Sequence, residues 1–289
     1  MTSFEGIWVP LITPFHDGRI DFPALQALAC SIVDAGVSGL VACGSTAEAA
    51  ALDDDEQLAV LDAIIAAVPG CPVVMGLAGN RQAAMLEKMQ KIQRRRIAGL
   101  LIPAPYYIRP SQEGLRGFYL AMADAANVPV IVYNIPYRAG INIDTATILA
   151  LAAHERIVAV KDCGGSLGAT MDLINHGGLQ ILAGEDEQIF STLCLGGSGA
   201  ITAAAHLRPD LFVRVAQLVH AQRIAEARAV FYDLLPLIRL LFAEPNPAPI
   251  KTALALMGMV RDELRAPMQA GSPTLREKLQ RELLRLGCL

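Results

Sequence analysis

The chain has 289 residues, a formal net charge of −4, and a composition that is 53% hydrophobic and 18% charged. That length suits one α/β barrel, and the acidic balance gives no reason to expect nucleic acid as a partner: "QRRR" at 93–96 reads as a solvated helix end. Mean hydropathy is positive, +0.41, but the apolar runs are cut by Pro, Gly or Arg after about ten residues, short of the roughly 20 that a spanning helix needs, so no membrane partner is expected.

The opening "MTSFEGIWVPLITPF" has no basic segment ahead of its apolar stretch and carries Glu5, so it does not read as a secretory signal and a cytoplasmic location is expected. Strand-like runs then recur about every thirty residues, at 6–15, 39–45, 72–79, 98–106, 128–136, 157–163, 179–186 and 199–205. Between them lie Ala/Leu/Glu/Gln-rich stretches long enough for helices, such as "DDEQLAVLDAIIAAVPG", which opens on acidic residues where a helix N-terminus favours them. This alternation predicts a (β/α)8 TIM barrel over residues 1–208. From 209 to 289 the pattern is helical only, so the last barrel helix and a C-terminal helical extension are expected there. The six cysteines are widely spaced without a CxxC pair, as suits reduced thiols packed as small hydrophobes.

Barrel chemistry sits at the C-terminal strand ends, and polar residues gather there in "CGSTAE", "PAPYYIRP", "YNIPYR", "KDCGG" and "AGEDE". Only five of the twenty-four basic residues are lysines. Lys88, Lys91 and Lys278 lie in amphipathic helical stretches, and Lys251 follows the Pro-rich "EPNPAPI" near a helix start, so these four have ordinary explanations. Lys161 instead ends the apolar run "IVAVK". Burying an ammonium costs several kcal/mol or makes it give up its proton. Lys161 is therefore either paired, with Asp162 or Glu185, or kept as a nucleophilic amine able to form a Schiff base with a ketone.

The ketone's partner group is a carboxylate rather than a phosphate, because "GEDEQ" and "AAAHLRPD" stand where phosphate-binding barrels carry glycine-rich loops. "GSTAE" after the second strand offers hydroxyls and N–H groups to a carboxylate; the same letters also fit a plain capping box of Ser45 with Glu48. Tyr133 and Tyr107 are placed to relay protons, or simply to pack. The five histidines are scattered without metal-ligand spacing, so neither a metal nor a cofactor is expected.

Through "LITPF", "GSTAE", "PYYIRPSQEGL", "YNIPYRAG", "VKD" and "EPNPAPIK", the whole chain resembles the dihydrodipicolinate synthase family within the N-acetylneuraminate lyase superfamily. The resemblance implies a class I aldol condensation of pyruvate with L-aspartate 4-semialdehyde, giving 4-hydroxy-tetrahydrodipicolinate at the diaminopimelate and lysine branch point. It assigns the imine to Lys161 and proton shuttling to Tyr133 with Ser45 and Tyr107. Thr46 and Ile201 fall on the pyruvate side, and Arg138 on the carboxylate of the aldehyde. It also implies a homodimer or homotetramer, with Tyr107 reaching across an interface. The similar keto-sugar-acid lyases lack the arginine at 138, so the synthase reading leads over them and over a silent pyruvate-binding paralogue.

Some positions depart from the family pattern. Ala47 replaces a glycine, which costs about 1 kcal/mol if φ is positive there; Tyr137 and Ala139 flank Arg138 unusually. The lysine feedback site of regulated members maps to Ala49, Asp54, Gln57, Asn80, Ala84 and Tyr106, of which only Asn80 and Tyr106 fit, so weak or absent inhibition by lysine is expected.

Overall fold

The structure, a computed structural model, describes residues 3–289. Eight parallel strands, β1 (Gly6–Pro10), β2 (Gly39–Ala42), β3 (Val73–Gly76), β4 (Gly99–Pro103), β5 (Val130–Asn134), β6 (Ile157–Asp162), β7 (Gln180–Ala183) and β8 (Gly199–Ile201), close into a barrel. The order runs β1-β8-β7-β6-β5-β4-β3-β2, so each strand lies beside its chain neighbours. All eight expected strands are present within the expected runs, trimmed to the residues that keep both faces covered: β2 and β3 are buried at every position, as parallel strands under flanking helices must be. The trimmed ends become turns. In "YNIPYR", for example, strand stops at Asn134 and Pro136 opens a short helix, where its fixed φ and missing N–H cost nothing.

By internal contacts the chain divides into two compact units. The first comprises residues up to Gly6 with Pro72–Ile201 and holds β3 to β8 with their helices α3 (Gln82–Ile92), α4 (Gln112–Ala125), α5 (Pro136–Ala139), α6 (Thr145–Leu151), α7 (Leu167–His176) and α8 (Ile189–Cys194). Its central register pairs Tyr133 with Lys161 and Asn134 with Asp162 across β5 and β6.

The second unit comprises Ile7–Cys71 and Thr202–Leu289. It holds β1 from Ile7, β2, α1 (Phe22–Asp34), α2 (Asp54–Ala67), and the helices that follow β8: α9 (Pro209–His220), α10 (Ile224–Leu241), α11 (Ala248–Leu256) and α12 (Pro273–Arg285). Trp8 pairs with Gly39 in the β1–β2 register, and a Cβ on Gly39 would stand 2.2 Å from the Trp8 ring. Only glycine lets β2 run there. Asp53 and Glu56 form a reciprocal capping box on α2, the pairing that satisfies two orphan N–H groups at once. Among the described residues no helix is long and apolar enough to cross a membrane.

His206, fully buried just after β8, ties this unit together: its Nε2 accepts from Ile12 N at 3.1 Å while Nδ1 faces Ala203 O at 2.8 Å. That tautomer is inferred from the two partners. Burial pushes the imidazole from 6.5 down to about 4, against the carbonyl of Ala203, which raises it. An unfolded chain takes up the proton first as pH falls through 6.5, so the stability His206 contributes is complete above 6.5 and is lost towards 4. Between pH 7 and pH 5 the loss is about 2 kcal/mol by linkage. Urea unfolding at the two pH values, compared with His206→Gln, should show that pH sensitivity shrinking by about this amount in the variant.

Candidate active site

Lys161 sits at the penultimate position of β6 and is buried. Among the described residues it has no ion-pair partner; its Nζ lies over the Tyr133 ring, 4.4 Å from the centroid, as β5–β6 register dictates. An aromatic face stabilises the charged amine without holding it by a hydrogen bond. Burial lowers the Lys161 amine below its ordinary 10.5; Cys163, Asp186 and Glu185 pull it upward, and Arg138 adds to the lowering. Burial also raises the Cys163 thiol, which is therefore neutral near pH 7. What remains is burial and Arg138 against the two carboxylates. The β6 end packs closely on Gly184, where a Cβ would stand 2.4 Å from Cys163 Sγ, 2.9 Å from Asp162 O and 3.0 Å from Lys161 Cγ.

Pairing of Lys161 with Asp162 is ruled out by what Asp162 does instead. Successive strand residues face opposite ways, and Asp162 is taken up by a network of its own. Its Oδ1 accepts from Gly164 N at 2.9 Å and Asn134 Nδ2 at 3.3 Å, and its Oδ2 from Thr170 Oγ1 at 2.8 Å. Asn134 in turn donates to Asn142 Oδ1 at 3.0 Å and accepts from Ile143 N at 3.1 Å. The ends of β5 and β6, which carry Tyr133 and Lys161, are thus pinned together and to the segment after Arg138.

Of the other residues singled out in this unit, Ile201 is buried on β8, and Arg138 is exposed on α5 yet close enough to act electrostatically on Lys161. Tyr107 is 87% exposed, with φ of 73° and its N–H donating to Ala139 O at 3.2 Å. It is not gathered onto Lys161. Glu185, considered above as an ion-pair partner for Lys161, raises its amine without pairing with it among the described residues, and Tyr137, noted above only as a neighbour of Arg138, adjoins Glu185 and Tyr133. Glu185 lies close enough to the Tyr137 phenol and the Cys163 thiol to raise both, and its Oε1 is buried with no hydrogen-bond partner among the described residues. The Tyr137 ring is largely exposed, yet burial at its hydroxyl end, with Cys163, Glu185 and Tyr133 nearby, raises that phenol.

Ser45 and Thr46 lie in the second unit, in a 3-10 turn of Ser45–Ala47 after β2. The capping-box reading of Ser45 with Glu48 fails. Glu48 turns into the left-handed region at φ 54° and sends its carboxylate elsewhere: Oε1 accepts from Lys251 Nζ at 2.5 Å and Oε2 from Arg265 N at 2.9 Å. The condition for strain at Ala47, a positive φ, is not met. Ala47 stays in the turn, and the positive φ falls one residue later on Glu48.

The ordinary explanation of Lys251 also fails, since it is 0% exposed inside α11. Its Nζ donates to Glu263 O at 2.8 Å as well as to Glu48, and lies 4.2 Å from the Phe15 ring centroid. Arg265 closes the cluster with a two-pronged contact to Glu56, both bonds 2.6 Å. The signal in the sequence was an isolated lysine in the apolar run "APIKTALAL": a buried ammonium needs a carboxylate. On the other side of the turn, Asn246 Nδ2 donates to Thr46 Oγ1 at 3.0 Å. No group of three or more His, Cys, Asp or Glu that could hold a metal ion occurs among the described residues.

Fold and site together define a (β/α)8-barrel enzyme centred on a buried lysine. Residues 3–285 match the dihydrodipicolinate synthetase family, and the chain belongs to that family. Like its relatives it is a lyase. It is 37% identical over 289 residues to the 4-hydroxy-tetrahydrodipicolinate synthase of Syntrophus aciditrophicus, covering 99% of both chains. With that of Methanococcus maripaludis it shares 34% identity over 287 residues, again 99% of each. Among solved structures, the chloride-inhibited dihydrodipicolinate synthase of Acinetobacter baumannii, complexed with pyruvate, superposes with a TM-score of 0.96 at 30% identity, over 99% of this chain and all of that one.

The Glu48–Lys251 pair makes a stability test. Lys251→Met leaves the Glu48 carboxylate buried without its ion partner and should destabilise the fold by about 3–5 kcal/mol. Adding Glu48→Gln should recover part of that loss, read from urea midpoints of the two variants; equal midpoints would show that the pair is not coupled.

Proposed function

We propose that this chain joins pyruvate to L-aspartate 4-semialdehyde through an imine on Lys161, yielding 4-hydroxy-tetrahydrodipicolinate for diaminopimelate and lysine biosynthesis. The observation that carries the reading is a buried lysine with no ion-pair partner among the described residues, its amine lowered by burial and resting on Tyr133. Family membership supports it.

In this reading the neutral Nζ adds to the pyruvate ketone carbon, the resulting carbinol oxygen takes a proton and leaves as water, and the protonated imine that forms acidifies the methyl group. Loss of a methyl proton gives the enamine, which attacks the aldehyde carbon as the aldehyde oxygen takes a proton. The amine of the condensed product then attacks the imine carbon and displaces Lys161, closing the ring. Tyr133 carries the protons, with Ser45 and Tyr107 as its relay. Thr46 binds the pyruvate carboxylate, Ile201 packs against pyruvate, and the Arg138 guanidinium takes the carboxylate of the aldehyde in a fork that suits it. Tyr107 at 87% exposure, with Tyr106 at 42% and Ile108 at 54%, forms an apolar strip; a second copy of the chain covering it, as homodimer or homotetramer, brings Tyr107 into a relay.

A second reading, cleavage of a keto-sugar acid through the same imine, is favoured by the buried, unpartnered Oε1 of Glu185, an acceptor suited to a substrate hydroxyl. Product formation from aspartate semialdehyde separates the two.

Trapping with borohydride tests the imine. Pyruvate and borohydride should leave a reduced adduct on the peptide holding Lys161, absent in Lys161→Ala; well-folded protein without adduct defeats the reading. Because the folded amine lies below 10.5, the trapping rate should rise with pH through a midpoint below that value. Arg138→Ala removes a positive charge that lowers the amine, so this midpoint should move up. Feedback is tested separately. Gln57 Nε2 is committed to Ala49 O and Leu52 O, at 2.9 and 3.1 Å, which supports an unregulated enzyme; half-maximal inhibition by sub-millimolar lysine would contradict it.

A further inference from the structure

We infer that Asn246 is a positioning residue for substrate binding: by donating to Thr46, it aims the Thr46 hydroxyl proton at the carboxylate of the 2-keto acid. The inference rests on the pyruvate reading above and adds a residue to it.

A threonine hydroxyl has one proton and can rotate it towards any acceptor in reach. Thr46 is buried, and the backbone on its C-terminal side is held on two flanks: Thr13 Oγ1 donates to Ala47 O at 2.7 Å, and Glu48 is locked by Lys251 and Arg265. The turn is fixed, but a fixed turn leaves the hydroxyl free to spin. Asn246 Nδ2 removes that freedom. At 3.0 Å from Oγ1 it occupies an acceptor lone pair, so the Thr46 proton must point away from the amide. A hydroxyl arranged this way is a one-directional donor, which is what an anionic carboxylate requires.

The other end of the amide argues that Asn246 is there for this purpose rather than for packing. Among the described residues Asn246 Oδ1 is buried without a hydrogen-bond partner, and the contact with Thr46 is the one side-chain hydrogen bond that Asn246 makes. A buried acceptor left unsatisfied costs stability, so an apolar side chain would serve the fold as well or better. A threonine hydroxyl can accept from Nδ2 or donate to Oδ1, and the two orientations of the amide make opposite predictions: with Oδ1 facing Thr46 the hydroxyl proton is already spent on the amide, and removing the amide would free that proton and lower the half-saturating pyruvate concentration.

The readout is the pyruvate concentration that gives half-maximal borohydride trapping on Lys161. Asn246→Asp keeps the shape but turns the donor into an anionic acceptor, which captures the Thr46 proton and repels the substrate carboxylate. Half-saturation should rise about tenfold or more, the factor that loss of a hydrogen bond to a charged group brings. Asn246→Ala should raise it several-fold while leaving the thermal midpoint unchanged or higher. In a Thr46→Val background, Asn246→Ala should add nothing. Unchanged half-saturation in Asn246→Asp, or full additivity in the double variant, would overturn the inference. If Asn246→Asp does not fold, the Ala and Val cycle decides alone. Absence of any adduct from wild-type protein would overturn the pyruvate reading and this inference together, whereas a wild-type adduct with unaltered variants overturns the inference only.

Discussion

The burial of one primary amine constrains everything around it. At the end of β6, Lys161 is too dry to carry its proton as it would in water, and among the described residues it has no ion-pair partner. What it has instead are supports that modulate the charge without capturing it: an aromatic face at 4.4 Å, two carboxylates that raise the amine, and a guanidinium that lowers it. Such a balance keeps both protonation states within reach, which a close ion pair would not. The neighbouring residues follow from this. Gly184 is small because a Cβ there would meet Cys163 Sγ, the Asp162 carbonyl and the lysine stem, and Asp162, one position along the strand, is engaged by Thr170, Gly164 and Asn134 rather than left to approach the amine.

The second unit solves the same physical problem in the opposite way. Lys251 is as deeply buried as Lys161 but has a carboxylate at 2.5 Å and a carbonyl at 2.8 Å. A pair of that geometry contributes little net stability compared with apolar side chains, but it penalises any arrangement that separates its members. Its consequence here is conformational: the Glu48 backbone is held in the left-handed region, and the Ser45–Ala47 turn ends where that residue begins. Two buried lysines in one barrel therefore mean different things. The partner, not the burial, distinguishes structure from chemistry.

Which parts of this were legible in the sequence follows from how far apart the interacting residues lie. The eight strands could be read because parallel strands buried on both faces are written as local apolar runs, and Lys161 because it interrupts one. The Asp53–Glu56 box is local too. Glu48 and Lys251 are 203 positions apart, and Thr46 and Asn246 are 200 apart; no window on the sequence contains both members, so Lys251 read as a helix-start residue and Asn246 as part of a proline-rich loop. That the positive φ falls on Glu48 and not on Ala47 has a local cause. A 3-10 turn carries the chain one residue further before the left-handed step, and the residue that takes that step is chosen by its side-chain partner 203 positions away.

The two buried side-chain atoms without partners among the described residues are Glu185 Oε1 and Asn246 Oδ1. Native interiors satisfy nearly all such atoms, because each one left over costs free energy. Placed at random in a chain of 289 residues, they would have no reason to select functional neighbours, yet one belongs to a carboxylate that acts on Lys161 and the other to the amide bonded to Thr46. Both are acceptors. Both adjoin groups whose chemistry is directed outward from the chain, an amine and a hydroxyl. An interior optimised for stability alone would have replaced them with apolar side chains; their retention places the polar cost of this fold beside the residues that the proposed reaction uses.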